Sequence, residues 1–157
     1  MGCKKEHIEM PELAPVNKLK IGDMHEGGLI FYVDASGKHG KLVSAENLER
    51  SNNLGRLNWD DAMLKCEEYS EGGHTDWYLP SIEEMEKIYD RLYLKGFGNF
   101  TGTFYWSSTE DQDNQSLAWV QKFAISEGED WFGTYYYMET AVLEKDNNRR
   151  FRAVRTF

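Results

Sequence analysis

"DWYLPSIEEM", residues 76–85, compresses an extended stretch, a hard stop and a helix start into one short run. Trp77, Tyr78 and Leu79 favour extended backbone. Pro80 holds Leu79 out of helical angles, because its ring crowds the residue before it. Ser81 then fits an N-cap, and Glu84 fits the reciprocal half of a capping box. Ile82, Met85, Ile88, Tyr89 and Leu92 stripe one face of the helix that follows. Glu83, Glu86, Lys87 and Asp90 take the other face.

On the N-terminal side of this corner, "NWDDAMLKCEEY" (58–69) has helical spacing too, with Trp59, Ala62, Met63 and Cys66 at i, i+3, i+4 and i+7 and Asn58 as its N-cap. Earlier still, "GGLIFYVD" (27–34) and "KLVSAE" (41–46) flank the turn "ASGKHG" and predict a hairpin. After the corner, "TFYWSST" (103–109), "LAWVQKFAIS" (117–126) and "WFGTYYYMETAVL" (131–143) are aromatic and β-branched, which predicts strands. "FRAVRTF" (151–157) puts Phe151, Ala153 and Phe157 on one face of a closing strand. That strand needs a partner, and the early hairpin is the natural one. The expected class is α+β: N- and C-terminal strands paired, two central helices, and a second, aromatic-rich antiparallel sheet.

A chain of 157 residues favours one domain. Residues 1–20, with Pro11 and Pro15, read as a flexible tether, and 21–157 as the domain. A net charge of −9 excludes nucleic acid as the expected partner, since counterion release needs clustered Lys and Arg. No apolar run reaches the ~20 residues of a membrane span. Cys66 reads as a small buried apolar residue. "MGCKKE" resembles the mature start of a bacterial lipoprotein, with Cys3 as the lipidated residue. A plain polar tail is the competing reading, and Glu6 stands where myristoylation at Gly2 would prefer Ser or Thr.

"IGDMHEGGLIFYVDASGKHGKLV", "GGHTDWYLPSIEEMEKIY", "FYWSSTE", "AWVQKF" and "FRAVRTF" occur in this order along residues 21–157. Together they resemble the Lcl C-terminal domain family, the terminal domain of collagen-like bacterial adhesins. The resemblance implies a C-type-lectin-like fold and a secreted or surface-displayed protein of the cell envelope. Some members are adhesins thought to bind sulfated polysaccharides. The same fold serves hypervariable receptor-binding proteins and formylglycine-generating enzymes.

Trp77, Trp106 and Trp119 are spaced as core anchors, and Ser107, Ser108 and Thr109 suit bonds to a neighbouring loop backbone. Arg152 and Arg155 alternate with apolar residues. They suit a solvated strand face, an ion pair with an acid such as Glu110, or a fork for an anionic sugar. The Pro-containing triplet with which C-type lectins hold calcium and sugar is absent. Asp111, Asp113, Glu127, Glu129 and Asp130 supply hard oxygen ligands without site-defining spacing, so no cofactor is expected, with calcium as the competing reading. His7, His25, His39 and His74 form no zinc motif, and the globular region lacks the paired cysteines of the formylglycine branch. No enzyme is expected.

The expected function is therefore non-catalytic: an adhesin-like, glycan-binding domain of a bacterial lipoprotein, surface-exposed or periplasmic. The alternatives are a protein-recognition module, such as a diversified receptor-binding protein, and a structural envelope domain with no dedicated ligand. Alternation along "WFGTYYYM" places Trp131, Tyr135 and Tyr137 on one face. With Asn147, Asn148 and Arg150 in the next turn, these are the candidate contacts for an extracellular glycan or protein.

Overall fold

A computed structural model describes residues 18–48, 56–130 and 133–157. The expected lipidation site Cys3, most of the tether and Trp131 lie outside the described residues. In chain order the elements are β1 (Met24–His25), β2 (Gly28–Val33), β3 (Gly40–Ser44), α1 (Trp59–Glu67), α2 (Ile82–Arg91), β4 (Phe104–Glu110), β5 (Leu117–Asp130), β6 (Gly133–Glu144) and β7 (Val154–Thr156). Short 3-10 turns sit at Glu71–Gly73 and Tyr93–Lys95. The strands form two antiparallel sheets, ordered β1-β2-β3-β7 and β4-β5-β6. The class is α+β, and the last strand does join the early hairpin: Leu42 lies opposite Arg155 and Val43 opposite Val154.

The corner at 76–85 stitches the two sheets together. Tyr78 and Val154 exchange backbone hydrogen bonds of 2.9 and 2.8 Å, which adds the corner to the edge of β7. Two residues later the Ser108 N–H donates to Pro80 O at 2.8 Å, and the Ile82 N–H donates to the Thr109 hydroxyl at 3.0 Å. Ser107 donates its hydroxyl to Trp119 O. Thr109 thus holds the corner to β4 through its hydroxyl and Ser108 through its backbone N–H, whereas the Ser107 hydroxyl ties β4 to β5. The capping box forms: the Glu84 N–H donates to Ser81 Oγ, and the Ser81 N–H to Glu84 Oε2. The other Glu84 oxygen accepts from the Tyr78 hydroxyl at 2.9 Å and pairs closely with Lys41. Burial works against the Lys41 ammonium, but its bonds to Glu84 and Tyr78 outweigh that and raise its pKa. A nearly buried carboxylate is therefore satisfied on both oxygens, as burial demands.

Strand alternation feeds two apolar clusters. Ile30, Leu42, Trp106 and Ala153 meet Trp59, Ala62 and Cys66 of α1, together with Trp77 and Leu79 of the corner. Their neighbours Leu29, Phe31, Val43, Tyr105 and Val154 meet Met85, Ile88, Tyr89 and Leu92 around α2. Trp59 and Trp106 each donate their indole N–H to a backbone carbonyl, Ser107 O and Leu57 O. Leu19 already packs on the first cluster. Trp119 departs from the expectation of a core anchor: it is only half-buried, because its neighbours Ala118 and Val120 take the inward positions on β5.

Two further expectations need correction. The closing strand is shorter than 151–157, because the chain changes sheets there. Arg150 O accepts from the Trp106 N–H of β4, whereas Ala153 O accepts from the Ser44 N–H of β3. Nor is Arg152 on a solvated face: it is 1 % exposed. Its Nε donates to Asn47 Oδ1 at 3.0 Å. One terminal nitrogen donates to Ser44 O and Ala45 O at 3.0 and 2.8 Å, and the other to Gly98 O and Asn99 O at 2.6 and 3.5 Å. The guanidinium stacks on Phe100 with 4.1 Å to the ring centre. Burial lowers its pKa to about 10, which leaves it charged at neutral pH.

Every guanidinium N–H thus finds an oxygen. Removing the donors strands buried carbonyls, so Arg152→Ala should cost about 3–4 kcal/mol in urea unfolding. Arg152→Lys, with a point charge in place of the fork, should recover less than half of that loss. Ser81→Ala removes one cap and should cost only about 1 kcal/mol.

Candidate functional site

β5 and β6 form a hairpin longer than its sheet. β4 pairs only with residues 118–122 of β5, whereas β5 and β6 stay paired out to Asp130 opposite Gly133. Between Lys122 opposite Glu139 and Ser126 opposite Tyr137, β5 advances four residues and β6 two. Such a bulge bends the pair and increases its twist. At the bulge the Tyr89 hydroxyl of α2 donates to Ala124 O at 2.9 Å. Tyr89 also lies among Tyr93 and Phe123, with ring centres 5.2 and 6.0 Å away. The helix and the projecting arm are thereby fixed against each other.

Between them lies an open groove of about 600 Å³, lined by Tyr89, Asp90, Leu94, Ile125, Glu127, Tyr137 and Met138. Its size is that of ordinary ligand sites. Ile125 is 57 % exposed, Leu94 48 % and Tyr137 45 %, so three large apolar side chains crowd one concave surface. Asp90 and Glu127 stand on the two walls, and among the described residues neither forms an ion pair. A second hollow of about 610 Å³ lies by Glu46, Asn47, Tyr69 and Glu71. There the lining cation, Lys65, is already paired with Glu68, and the Tyr69 ring packs edge-on against Trp77.

The candidate contacts do not converge. Tyr137 reaches the groove. Trp131 lies outside the described residues, and of Tyr135 only the backbone is described, opposite Gly128. Asn147 and Asn148 are exposed in the turn after β6, where the Asn147 N–H closes onto Glu144 O. Arg150 is half-buried, with its carbonyl committed to Trp106. Tyr137 and Glu144 sit seven residues apart on β6, roughly 23 Å at about 3.3 Å per residue. One small site cannot span both ends of the strand. Tyr89 and Asp90, near the end of α2, and Leu94, just after it, escape the sequence reading because they meet the arm only in space. Ile125 and Met138 were hidden by the bulge, which interrupts the alternation used to assign faces.

Arg155 forms no fork for an anionic sugar, and its acid is not Glu110. Glu110 pairs with Lys145 at 2.7 Å. Arg155 donates through Nε to Asp76 Oδ1 at 2.9 Å and through Nη1 to Glu26 Oε2 at 2.5 Å. This clamp ties the tight turn between β1 and β2 to the corner and to β7. Glu26 holds a positive φ of 43°, and a Cβ at Gly72 would lie 2.2 Å from Glu26 O, so the turn at Glu71–Gly73 can approach only through glycine. His74 and His25 also face Glu26, at 3.3 and 3.7 Å. With a guanidinium already on that carboxylate, the group does not suit a metal, and no metal-holding cluster is found among the described residues. Asp111 spends Oδ1 on the N–H groups of Asp113 and Asn114, which closes its own turn. Burial raises the Cys66 thiol pKa far above neutrality, which suits a packing role.

Among known families, the model of the Lcl C-terminal domain matches residues 36–155. No curated protein matches the chain.

The clamp has a pH signature. The Arg155 hydrogen bond is the main cause that lowers the pKa of both Glu26 and Asp76. A carboxyl with a lower pKa folded than unfolded binds fewer protons when folded. Its contribution is complete above the ordinary carboxylate range, about pH 4, and decays as pH falls through the lowered values. Stability measured by thermal melts should therefore fall on acidification below about pH 4, and Asp76→Asn should flatten that fall while lowering stability at neutral pH.

Proposed function

The chain belongs to the Lcl C-terminal domain family, and from that premise we propose that it is a non-catalytic recognition domain whose ligand sits in the groove between α2 and the β5–β6 arm. The carrying observation is the cluster of exposed apolar side chains, Leu94, Ile125 and Tyr137, on one concave surface whose floor is fixed by the Tyr89–Ala124 hydrogen bond. An apolar patch of this kind is costly to leave open unless something covers it. A preset floor lowers the ordering cost of binding. Work of this kind is adhesin-like: surface contact without chemistry. The finer C-type-lectin-like assignment belongs to the same proposal. It is supported by the first and last described strands lying in one sheet, two helices between them and a long hairpin projecting from the second sheet.

Display on the bacterial envelope through Cys3 is also proposed, on the strength of the Gly-Cys-Lys-Lys start. Palmitate labelling in the native host should tag the protein, and Cys3→Ser should abolish the label. Persistence of the label in that variant overturns the anchor.

The groove is tested by probing arrays of glycans and of extracellular proteins with the wild-type domain, Tyr137→Ala and Ile125→Asp. Both substitutions lie on exposed side chains and should leave the fold intact. A genuine hit should weaken about tenfold or more in each variant, and a chelator should leave it unchanged. A hit that both variants retain puts binding elsewhere and sinks the groove.

A further inference from the structure

The lining of the groove restricts what can occupy it. Leu94, Ile125 and Met138 provide aliphatic and thioether surface, and Tyr89 and Tyr137 provide rings. The Tyr89 hydroxyl is committed to Ala124 O. Among the described lining residues the charged groups are Asp90 and Glu127, one on each wall, and both accept hydrogen bonds without donating any.

Each class of occupant can be weighed against that lining. A sulfated or carboxylated glycan would bring negative charge between two carboxylates with no cation among the described lining residues. A neutral glycan would press hydroxyls against Leu94, Ile125 and Met138, at a cost of about 1–3 kcal/mol for each hydroxyl left unpaired. A second copy of this chain would set Asp90 and Glu127 against acids of its own kind, in a protein of net charge −9. An anionic lipid surface meets the same repulsion. A peptide that alternates apolar and basic side chains avoids every one of these costs. Its apolar groups cover the aliphatic walls, and its cations reach Asp90 and Glu127. An ammonium or guanidinium passing over the Tyr137 ring gains a cation–π contact as well.

Building on the groove as the ligand site, we propose that its occupant is a basic, apolar-faced peptide segment of a partner protein. The apolar side chains dock on Leu94, Ile125 and Met138, and Lys or Arg side chains pair with Asp90 and Glu127. Affinity resides in the apolar contacts. The rim acids set selectivity and speed association, because exposed charges act mainly on encounter and on the rejection of wrong partners.

The test is a random peptide display library panned on the full chain and counter-selected on Ile125→Asp. Enriched peptides are then synthesised and titrated against wild type by fluorescence anisotropy, alongside a glycan array read with the same two proteins. The expected winners carry Leu, Ile or Phe within one turn or two strand positions of Lys or Arg. Their binding should weaken with salt and fall about tenfold in the double variant Asp90→Asn, Glu127→Gln. Asp113→Asn with Asp146→Asn removes the same charge elsewhere on the surface and should change affinity less than twofold.

Acidic winners, or winners indifferent to the rim variant, overturn the peptide assignment. Equal losses in the rim and control variants do the same, because they reduce the effect to net charge. A glycan that binds wild type and is lost in Ile125→Asp, with no peptide doing so, overturns the peptide and keeps the groove. If neither library distinguishes wild type from Ile125→Asp, both the occupant and the groove fall.

Discussion

One buried guanidinium joins three distant parts of the chain. Arg152 donates to oxygens at the end of β3 and just after it, at Ser44, Ala45 and Asn47, and in the loop before β4, at Gly98 and Asn99. Neither segment has a regular partner for those carbonyls, and buried carbonyls without donors are costly. Arginine suits the position because its flat fork sends donors in several directions at once and its face can stack on Phe100. The hydrogen bonds go to peptide and amide oxygens rather than to a carboxylate. The charge therefore serves packing and is absent from the surface.

The same economy of polar groups shapes the corner at 76–85. Glu84 caps its own helix with one oxygen and receives Tyr78 and Lys41 with the other. Arg155 clamps the tight turn before β2 to the corner through Glu26 and Asp76. Once the corner is bonded to β7 and β4, the direction of α2 is set. Tyr89 on that helix then reaches the bulge of β5, so the groove is a consequence of how the corner is held.

Charge location matters more here than total charge. The chain carries an excess of acids, yet Arg152, Arg155 and Lys41 are turned inward or paired, which leaves acids at the groove rim. The apolar lining is exposed because the arm projects past β4 and, among the described residues, has no third strand beside it. An extended two-stranded arm offers little cover for its own side chains. Its usefulness for recognition and its incomplete burial have the same cause.

Local chemistry determined what was legible in the sequence. Pro80 before Ser81 and Glu84 dictated the corner, helical spacing dictated α1 and α2, and alternation with turn residues dictated the early hairpin. The need of a lone apolar strand for a partner pointed the last strand to that hairpin. All of these rest on interactions within a few residues or on simple burial periods. Tertiary structure decided the rest. Whether Arg152 faced water or carbonyls depended on segments 53 to 108 positions away, and Arg155 found Asp76 and Glu26 rather than Glu110 for the same reason. Of the candidate contacts, Tyr137 meets α2 at the groove, whereas Arg150 is bonded to β4 at the other end of the sheet. The bulge in β5 and the end of α2 meet only after the chain has folded, and no period in the sequence records a contact between residues that share no local register.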